Sequence, residues 1–177
     1  MAFILGKDIS GESYDELRLA WKAYSEYLES IKDRLPKSAY DFATAPWHFF
    51  NPDKGFLDID DPRIHMAPHD SWLEVATIAE PSTGERLQYR SLDIFVRLLG
   101  PYHDCHIELN YGQVKSYSMV AALDGSESGI RHGDWLSDEM RLSERGYVLH
   151  EIEWSNSSNW QIECKEFSYR WSPLEQS

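Results

Sequence analysis

Histidine and aspartate stand together at three places in this chain. These are His69-Asp70, His103-Asp104 and His132-Gly133-Asp134. Imidazole and carboxylate are the ligands that zinc and non-haem iron use, and loops held by a rigid sheet are where such sites form. If the loops meet at one end of a sheet, they could supply a metal site or an acid/base pair. The candidate ligands are His69, His103, Asp104 and His132.

The spacing of these residues does not favour metal binding. The sequence has no HExxH motif, no paired CxxC motif and no tight two-histidine-one-carboxylate signature. Aspartate after histidine is also a common turn device, because its carboxylate bonds the backbone two residues on. We therefore expect no cofactor, and keep a metal- or histidine-dependent enzyme as an alternative hypothesis.

The chain has only two cysteines, Cys105 and Cys164. Two thiols give no disulfide framework and are typical of a reducing compartment. On a strand, His103 and Cys105 would point to the same side and could form a nucleophile pair. However, Cys105 opens an apolar, inward-facing row, and a buried thiol is unreactive. We expect both thiols to be core residues.

The charge balance is the most informative property of the composition. Thirty aspartates and glutamates stand against 17 lysines and arginines, so the formal charge is −13. Such a surface repels nucleic acids and anionic membranes, whereas it attracts basic proteins and speeds their encounter. The predicted partner-binding residues are the acidic Asp53, Asp58, Asp60, Asp61 and Glu127, with Trp47 and Trp135 as aromatic anchors.

Tryptophan is frequent in the part of the chain after residue 70, which has the strand-like pattern described below. Trp72, Trp135, Trp154, Trp160 and Trp171 all lie there. A curled sheet with tryptophan at its mouth is a frequent small-molecule or sugar pocket. A cross-strand cluster of Trp154, Trp160 and Trp171 is the interpretation we favour, since core packing is the commoner use of such residues. A small-ligand β-pocket remains a further alternative.

The N-terminal part of the chain has a helical pattern. Ser13 and Glu16 have the spacing of a capping box. An apolar stripe follows at spacings of three and four, formed by Leu17, Trp21, Tyr24, Leu28, Ile31 and Leu35. The stripe predicts an amphipathic helix that ends at Pro36, and a short second helix is predicted over 38–44.

After Asp70 the hydrophobic period changes from 3.6 to 2, which is typical of strands. Strands are predicted at 72–80, 92–98, 105–111, 114–120, 138–143, 147–154 and 159–165, with a last one or a continuation at 167–171. Short turns between consecutive strands require antiparallel neighbours. The sequence thus predicts an α+β fold with the helix packed on a curled antiparallel meander of seven to eight strands, a half-barrel or two layers.

Together these patterns predict one domain over residues 1–177. Its helical part covers about 13–45, a long loop covers 47–70 and the β-meander covers 71–172. No apolar run is long enough to span a bilayer and the start lacks a basic signal-peptide region, so we expect a cytoplasmic protein. The leading hypothesis is a non-catalytic acidic binding protein, an inhibitor or immunity-type protein that masks a basic partner such as a toxin.

Overall fold

The computed structural model describes residues 2–5, 14–46, 61–121 and 132–174. Within these ranges the chain forms helix α1 (Tyr14–Ile31), helix α2 (Lys37–Ala43) and a 3₁₀ helix (Pro62–Met66). The strands are β1 (Trp72–Ala79), β2 (Ser82–Thr83), β3 (Tyr89–Arg90), β4 (Asp93–Leu99), β5 (Cys105–Gly112), β6 (Ser116–Val120), β7 (Trp135–Leu142), β8 (Val148–Trp154), β9 (Asn159–Cys164) and β10 (Glu166–Pro173).

The strands form two four-stranded sheets and one small hairpin. The first sheet has the order β1-β4-β5-β10, the second β6-β9-β8-β7, and β2 pairs with β3. Every strand pair is antiparallel, which confirms the predicted α+β class. Only part of the predicted meander is present, because β10 returns to β5 and β9 pairs with β6 as well as with its neighbour β8.

Two long segments of chain take part in both sheets. Strands β5 and β6 are separated by three residues, and their partners β10 and β9 by one. Gly112 lies opposite Glu166 and Ser116 opposite Glu163, so one segment advances four residues while the other advances three. The extra residue makes a bulge, and Gln113 adopts a left-handed backbone with φ 51. Bulges bend strands, and this one carries both segments from one sheet to the other.

Helix α1 buries the stripe predicted from its spacing. Leu17, Tyr24, Leu28 and Ile31 are all buried. The helix ends at Ile31 rather than at Pro36, because the following residues form a turn whose backbone N–H groups bond the carbonyl of Ile31. Leu35 stays buried in that turn, so the apolar stripe outlasts the helix.

Tyrosines of α1 cover the free edge of β7. The Tyr24 hydroxyl accepts the backbone N–H of Met140 at 2.7 Å and donates to its carbonyl at 3.1 Å. The Tyr27 hydroxyl accepts the N–H of Leu142 at 2.9 Å. An open edge is a site for unwanted strand pairing. Here side chains satisfy the edge groups.

Helix α2 lies beside β10, the edge strand of the first sheet. The Ser38 hydroxyl donates to the carbonyl of Phe167. The Phe42 ring packs against Phe167 at 5.3 Å and Tyr169 at 5.1 Å between centroids. The two helices therefore join the sheets in one hydrophobic core.

Two further parts of the sequence interpretation need correction. Strand β7 begins at Trp135 rather than at Asp138, with a bulge between Trp135 and Ser137 that interrupts the period-two pattern. The hairpin of β2 and β3 was not predicted, because two-residue strands are too short to show alternation. Among the described residues, no helix is long and apolar enough to cross a membrane.

Candidate functional site

The loops that carry the predicted histidines meet at one end of the sheets. Trp72 and Asp134 form an isolated antiparallel bridge. The N–H of Asp70 donates to the carbonyl of Trp135 at 2.9 Å, and the N–H of Trp135 to the carbonyl of Ser71 at 3.0 Å. These bonds fix the loop before β1 to the start of β7.

The turn between β4 and β5 joins the same end. His103 has a positive φ of 56 in this turn, and its ring lies 4.2 Å from that of Trp72. His65 from the 3₁₀ helix stacks on Tyr102 at 4.2 Å, and its Nδ1 lies 2.7 Å from an Asp104 carboxylate oxygen. We call these five residues, His65, Trp72, Tyr102, His103 and Asp104, the aromatic end.

Two large aromatic side chains of the aromatic end are exposed. Trp72 is 49% exposed and Tyr102 is 44% exposed. Tryptophan is usually well buried, so an exposed indole held by neighbouring rings is a feature of interaction sites. The rings of His103 and His65 pack against them, which restricts both side chains.

His65 and Asp104 form a hydrogen-bonded dyad. A carboxylate bonded to Nδ1 favours the tautomer with its proton there, which leaves Nε2 as a proton acceptor. That arrangement suits a general base. The thiol of Cys105 donates to the His65 carbonyl at 3.1 Å, and burial raises its pKa to about 11. Cys105 is therefore held protonated rather than activated as a nucleophile.

The four predicted metal ligands point to different partners. His69 Nδ1 lies 2.7 Å from the carbonyl of Leu136, His103 packs on an indole and Asp104 bonds a histidine. His132 lies against two tryptophans at the end of the second sheet. In the ranges that the structure describes, no three His, Cys, Asp or Glu residues are grouped to hold a metal ion. The loops converge, but these donor atoms do not.

Two of the seven predicted partner-binding residues, Asp61 and Trp135, lie within the described residues. Asp61 caps the 3₁₀ helix and pairs with Arg63, whose hydrogen bonds lower the pKa of the carboxyl to about 2. Trp135 is 1% exposed and donates its indole N–H to Asp138 at 3.1 Å, so its choice as a surface anchor was wrong. Asp53, Asp58, Asp60, Glu127 and Trp47 lie outside the described residues.

Arginines on the first sheet are paired with carboxylates. Arg97 Nε lies 3.0 Å from Glu74, and Arg170 Nε lies 2.8 Å from Glu108. His106 Nε2 also lies 3.1 Å from Glu74. Because both arginines lie against carboxylates, these strands present ion pairs rather than a basic stripe for phosphates.

Sequence reasoning missed a buried polar chain that links the sheets. The Tyr111 hydroxyl lies 2.8 Å from His150 Nδ1, and His150 Nε2 lies 3.1 Å from Asp138. The other oxygen of Asp138 accepts the Trp135 indole N–H. Burial holds the pKa of Tyr111 well above its ordinary value. All four side chains are buried. These hydrogen bonds therefore position β5, β7 and β8, and the four side chains are closed to a substrate from solvent.

The sequence did contain a pattern that indicates these buried hydrogen-bonded side chains. Strand β8 alternates strictly, and its inward positions read Val148, His150, Ile152 and Trp154. A histidine in such a row must find a buried partner. Its partner on β7 could not be named, because the bulge near Trp135 shifts the register there.

The predicted tryptophan cluster is present only in part. Trp154 and Trp160 are in contact, with centroids 5.1 Å apart. Trp171 lies on β10 in the first sheet and donates to the carbonyl of His65 at 3.3 Å. Trp171 therefore contacts the aromatic end through the backbone of His65.

No protein-family model, curated protein or solved structure matches this chain.

Proposed function

We propose that this chain is a non-catalytic acidic binding protein whose aromatic end contacts a basic protein. The observation that carries the proposal is the exposure of Trp72 and Tyr102 side by side with histidines and carboxylates. Tryptophan and tyrosine are the residues most enriched among interface hot spots. The face of either ring also attracts lysine or arginine through a cation–π contact.

Charge supports a basic partner. Asp104 bonds His65, Asp70 lies two residues before Trp72, and the side chains of both aspartates are well exposed. The chain as a whole carries −13. Long-range attraction of this sign raises the association rate of a cationic protein and weakens with salt. Asp53, Asp58 and Asp60, which were predicted as partner contacts, precede the 3₁₀ helix in sequence and lie outside the described residues.

The concrete form of the proposal is an inhibitor or immunity-type protein that masks a basic partner such as a toxin. Masking requires an exposed anchor and complementary charge rather than a catalytic group. The aromatic end supplies both.

The test compares partner capture by matched variants. The wild-type chain, Trp72→Ala and Tyr89→Ala are used as baits in an extract of the native host, and the recovered protein is then titrated in a calorimeter. We expect Trp72→Ala to weaken binding by about 2 kcal/mol, the size of a hot-spot loss. Tyr89 is 66% exposed on the hairpin away from the aromatic end, so Tyr89→Ala should bind like wild type.

Two results would contradict the proposal. One is the recovery of no basic protein by the wild-type bait. The other is a recovered partner that Trp72→Ala binds as tightly as wild type does.

The 2.7 Å contact between His65 and Asp104 favours a second candidate, an enzyme that uses His65 as a general base. A panel of activated esters and amides tests it. Turnover by the wild type that His65→Gln loses, with the fold intact, would replace the binding proposal.

A further inference from the structure

A separate cluster of rings lies at the end of the second sheet. Trp154 on β8 and Trp160 on β9 face the core, and each is 1% exposed. His132 packs against both, with centroids 5.4 Å from Trp154 and 4.9 Å from Trp160. We call His132, Trp154 and Trp160 the Trp–His cluster.

The Trp–His cluster holds three buried nitrogens that lack a hydrogen-bond partner among the described residues. They are His132 Nδ1, Trp154 Nε1 and Trp160 Nε1. The neighbouring Trp135, by contrast, donates its indole N–H to Asp138. Buried polar groups in native proteins are nearly always hydrogen-bonded. Three such atoms on rings in mutual contact leave the cluster with hydrogen-bonding capacity that the described residues do not use.

The backbone around Gly133 fixes the position of His132. Gly133 has φ +81, and a Cβ there would lie 2.6 Å from the Ser155 hydroxyl oxygen. Only glycine permits this approach to the turn between β8 and β9. The N–H of Asp134 donates to the Ser155 hydroxyl and the N–H of Ser155 to the Asp134 carbonyl, both at 2.9 Å. His132 is thereby held over the indoles.

The donor set determines what the cluster can bind. An indole nitrogen donates and cannot accept, so Trp154 and Trp160 require an acceptor atom. Burial lowers the pKa of His132, which favours a neutral ring able to donate or accept. A cation would meet two donors with no acceptor, and an anion would lose its hydration inside a chain of charge −13. An uncharged oxygen acceptor fits best.

We infer that the Trp–His cluster binds a small uncharged molecule through a carbonyl oxygen of the amide type, which accepts hydrogen bonds from both indoles. His132 completes the contact from the solvent side, where it is half-buried. Binding here does not depend on the proposed contact of the aromatic end with a protein, so either can fail alone.

Acetamide is the probe for this site, and acetate is its charged counterpart. The indole N–H signals of the ¹⁵N-labelled full chain are followed by NMR while each compound is added. We expect acetamide to shift the signals of Trp154 and Trp160 saturably and to leave that of Trp135 in place. Acetate should bind at least tenfold more weakly. Trp154→Phe/Trp160→Phe, which keeps ring packing but removes both donors, should lose about tenfold or more in acetamide affinity.

Several outcomes would overturn the inference. One is that acetamide leaves the Trp154 and Trp160 signals unchanged. Upfield positions of these indole protons in the free protein would then show that the N–H groups point at a neighbouring ring face. The shifts could equally include Trp135, which would show a general solvent effect. Tighter binding of acetate would refute the uncharged class. If the double variant does not fold, the wild-type titration alone still decides.

Discussion

Glu139 is a buried carboxylate whose removal is expected to be costly. Its side chain is 0% exposed on β7. One of its oxygens accepts backbone N–H groups from three consecutive residues, Phe3 at 2.7 Å, Ile4, and Leu5 at 3.1 Å. Its other oxygen lies 3.5 Å from Arg141 Nε. Consecutive N–H groups around one oxygen form an anion-binding nest, so this carboxylate attaches the N-terminal segment to the second sheet.

The size of the effect follows from what Glu139→Ala leaves behind. The N–H of Ile4 is buried and would lose its partner, at a cost of about 1–3 kcal/mol. Phe3 and Leu5 are half-buried and can reach water, so each should lose about 1 kcal/mol. We expect Glu139→Ala to lower the free energy of unfolding by about 3–5 kcal/mol, the range for breaking a buried ionic contact. Glu139→Gln keeps an acceptor and should cost about 1–2 kcal/mol, since only the charge is lost.

Urea unfolding followed by circular dichroism measures these changes, and hydrogen exchange at residues 3–5 reports the contact itself. Glu153→Gln is the matched control. Glu153 lies on the adjacent strand β8 and is bonded by the Ser137 hydroxyl at 3.2 Å, so its change should cost under about 1 kcal/mol. If Glu139→Ala costs no more than this control, or leaves the amides of residues 3–5 protected, the anchoring argument is wrong.

Three further predictions concern single side chains. Tyr24→Phe removes a buried hydroxyl that bonds both the N–H and the carbonyl of Met140 on β7, so it should lower the free energy of unfolding in urea by about 1–3 kcal/mol. The control is Tyr40→Phe, which should change little because the Tyr40 hydroxyl bonds an exposed carboxylate. Equal losses in the two variants would contradict the role of Tyr24 at the edge of β7. Gly133→Ala should destabilise more than Gly146→Ala, because φ is near +80 at both but only Gly133 has an atom within 4 Å of the added Cβ; similar melting temperatures would refute this. Burial raises the pKa of the Cys164 thiol to about 12 from 9.0, so the contribution of this thiol to stability is complete below pH 9 and falls as the pH rises toward 12. Cys164 should therefore resist alkylation at pH 8 in the folded chain and react once the chain is unfolded. Labelling of Cys164 in the folded chain would contradict this prediction.

Much of the fold could be predicted because alternation and periodicity are local. The row from Asp93 to Leu99 alternates half-buried and buried positions, as its sequence indicates. The α1 stripe is also buried as its spacing requires. Such patterns report which face is apolar, which is sufficient to place an element on the core.

Pairings across the chain could not be predicted in the same way. Nothing local to Glu166 shows that it lies opposite Gly112, since that register depends on a bulge and on a partner 54 residues away. The prediction of most of the strands therefore did not lead to the correct strand order. Short turns identify neighbours in sequence, whereas a returning strand is chosen by the packing of the whole core.

The candidate site was predicted at the level of loops and not of atoms. The His–Asp turns do converge, and Trp72 rather than Trp135 is the exposed indole. Composition cannot tell which tryptophan is buried, because the outcome depends on a one-residue register shift near Trp135. His65 stood out only as a histidine near other histidines, and its contact with Asp104 joins residues 39 apart.

The bent segments 105–120 and 159–173 have a consequence for the integrity of the molecule. The first sheet takes its inner strand β5 and its edge strand β10 from these two segments, and the second sheet takes its inner strand β9 and its edge strand β6 from them. A fragment ending at residue 121 would retain β5 and β6 but lack β10 and β9, against which both are aligned. Neither sheet can thus form completely without the other. A change that disrupts one sheet also affects the other, because the same segments of backbone belong to both.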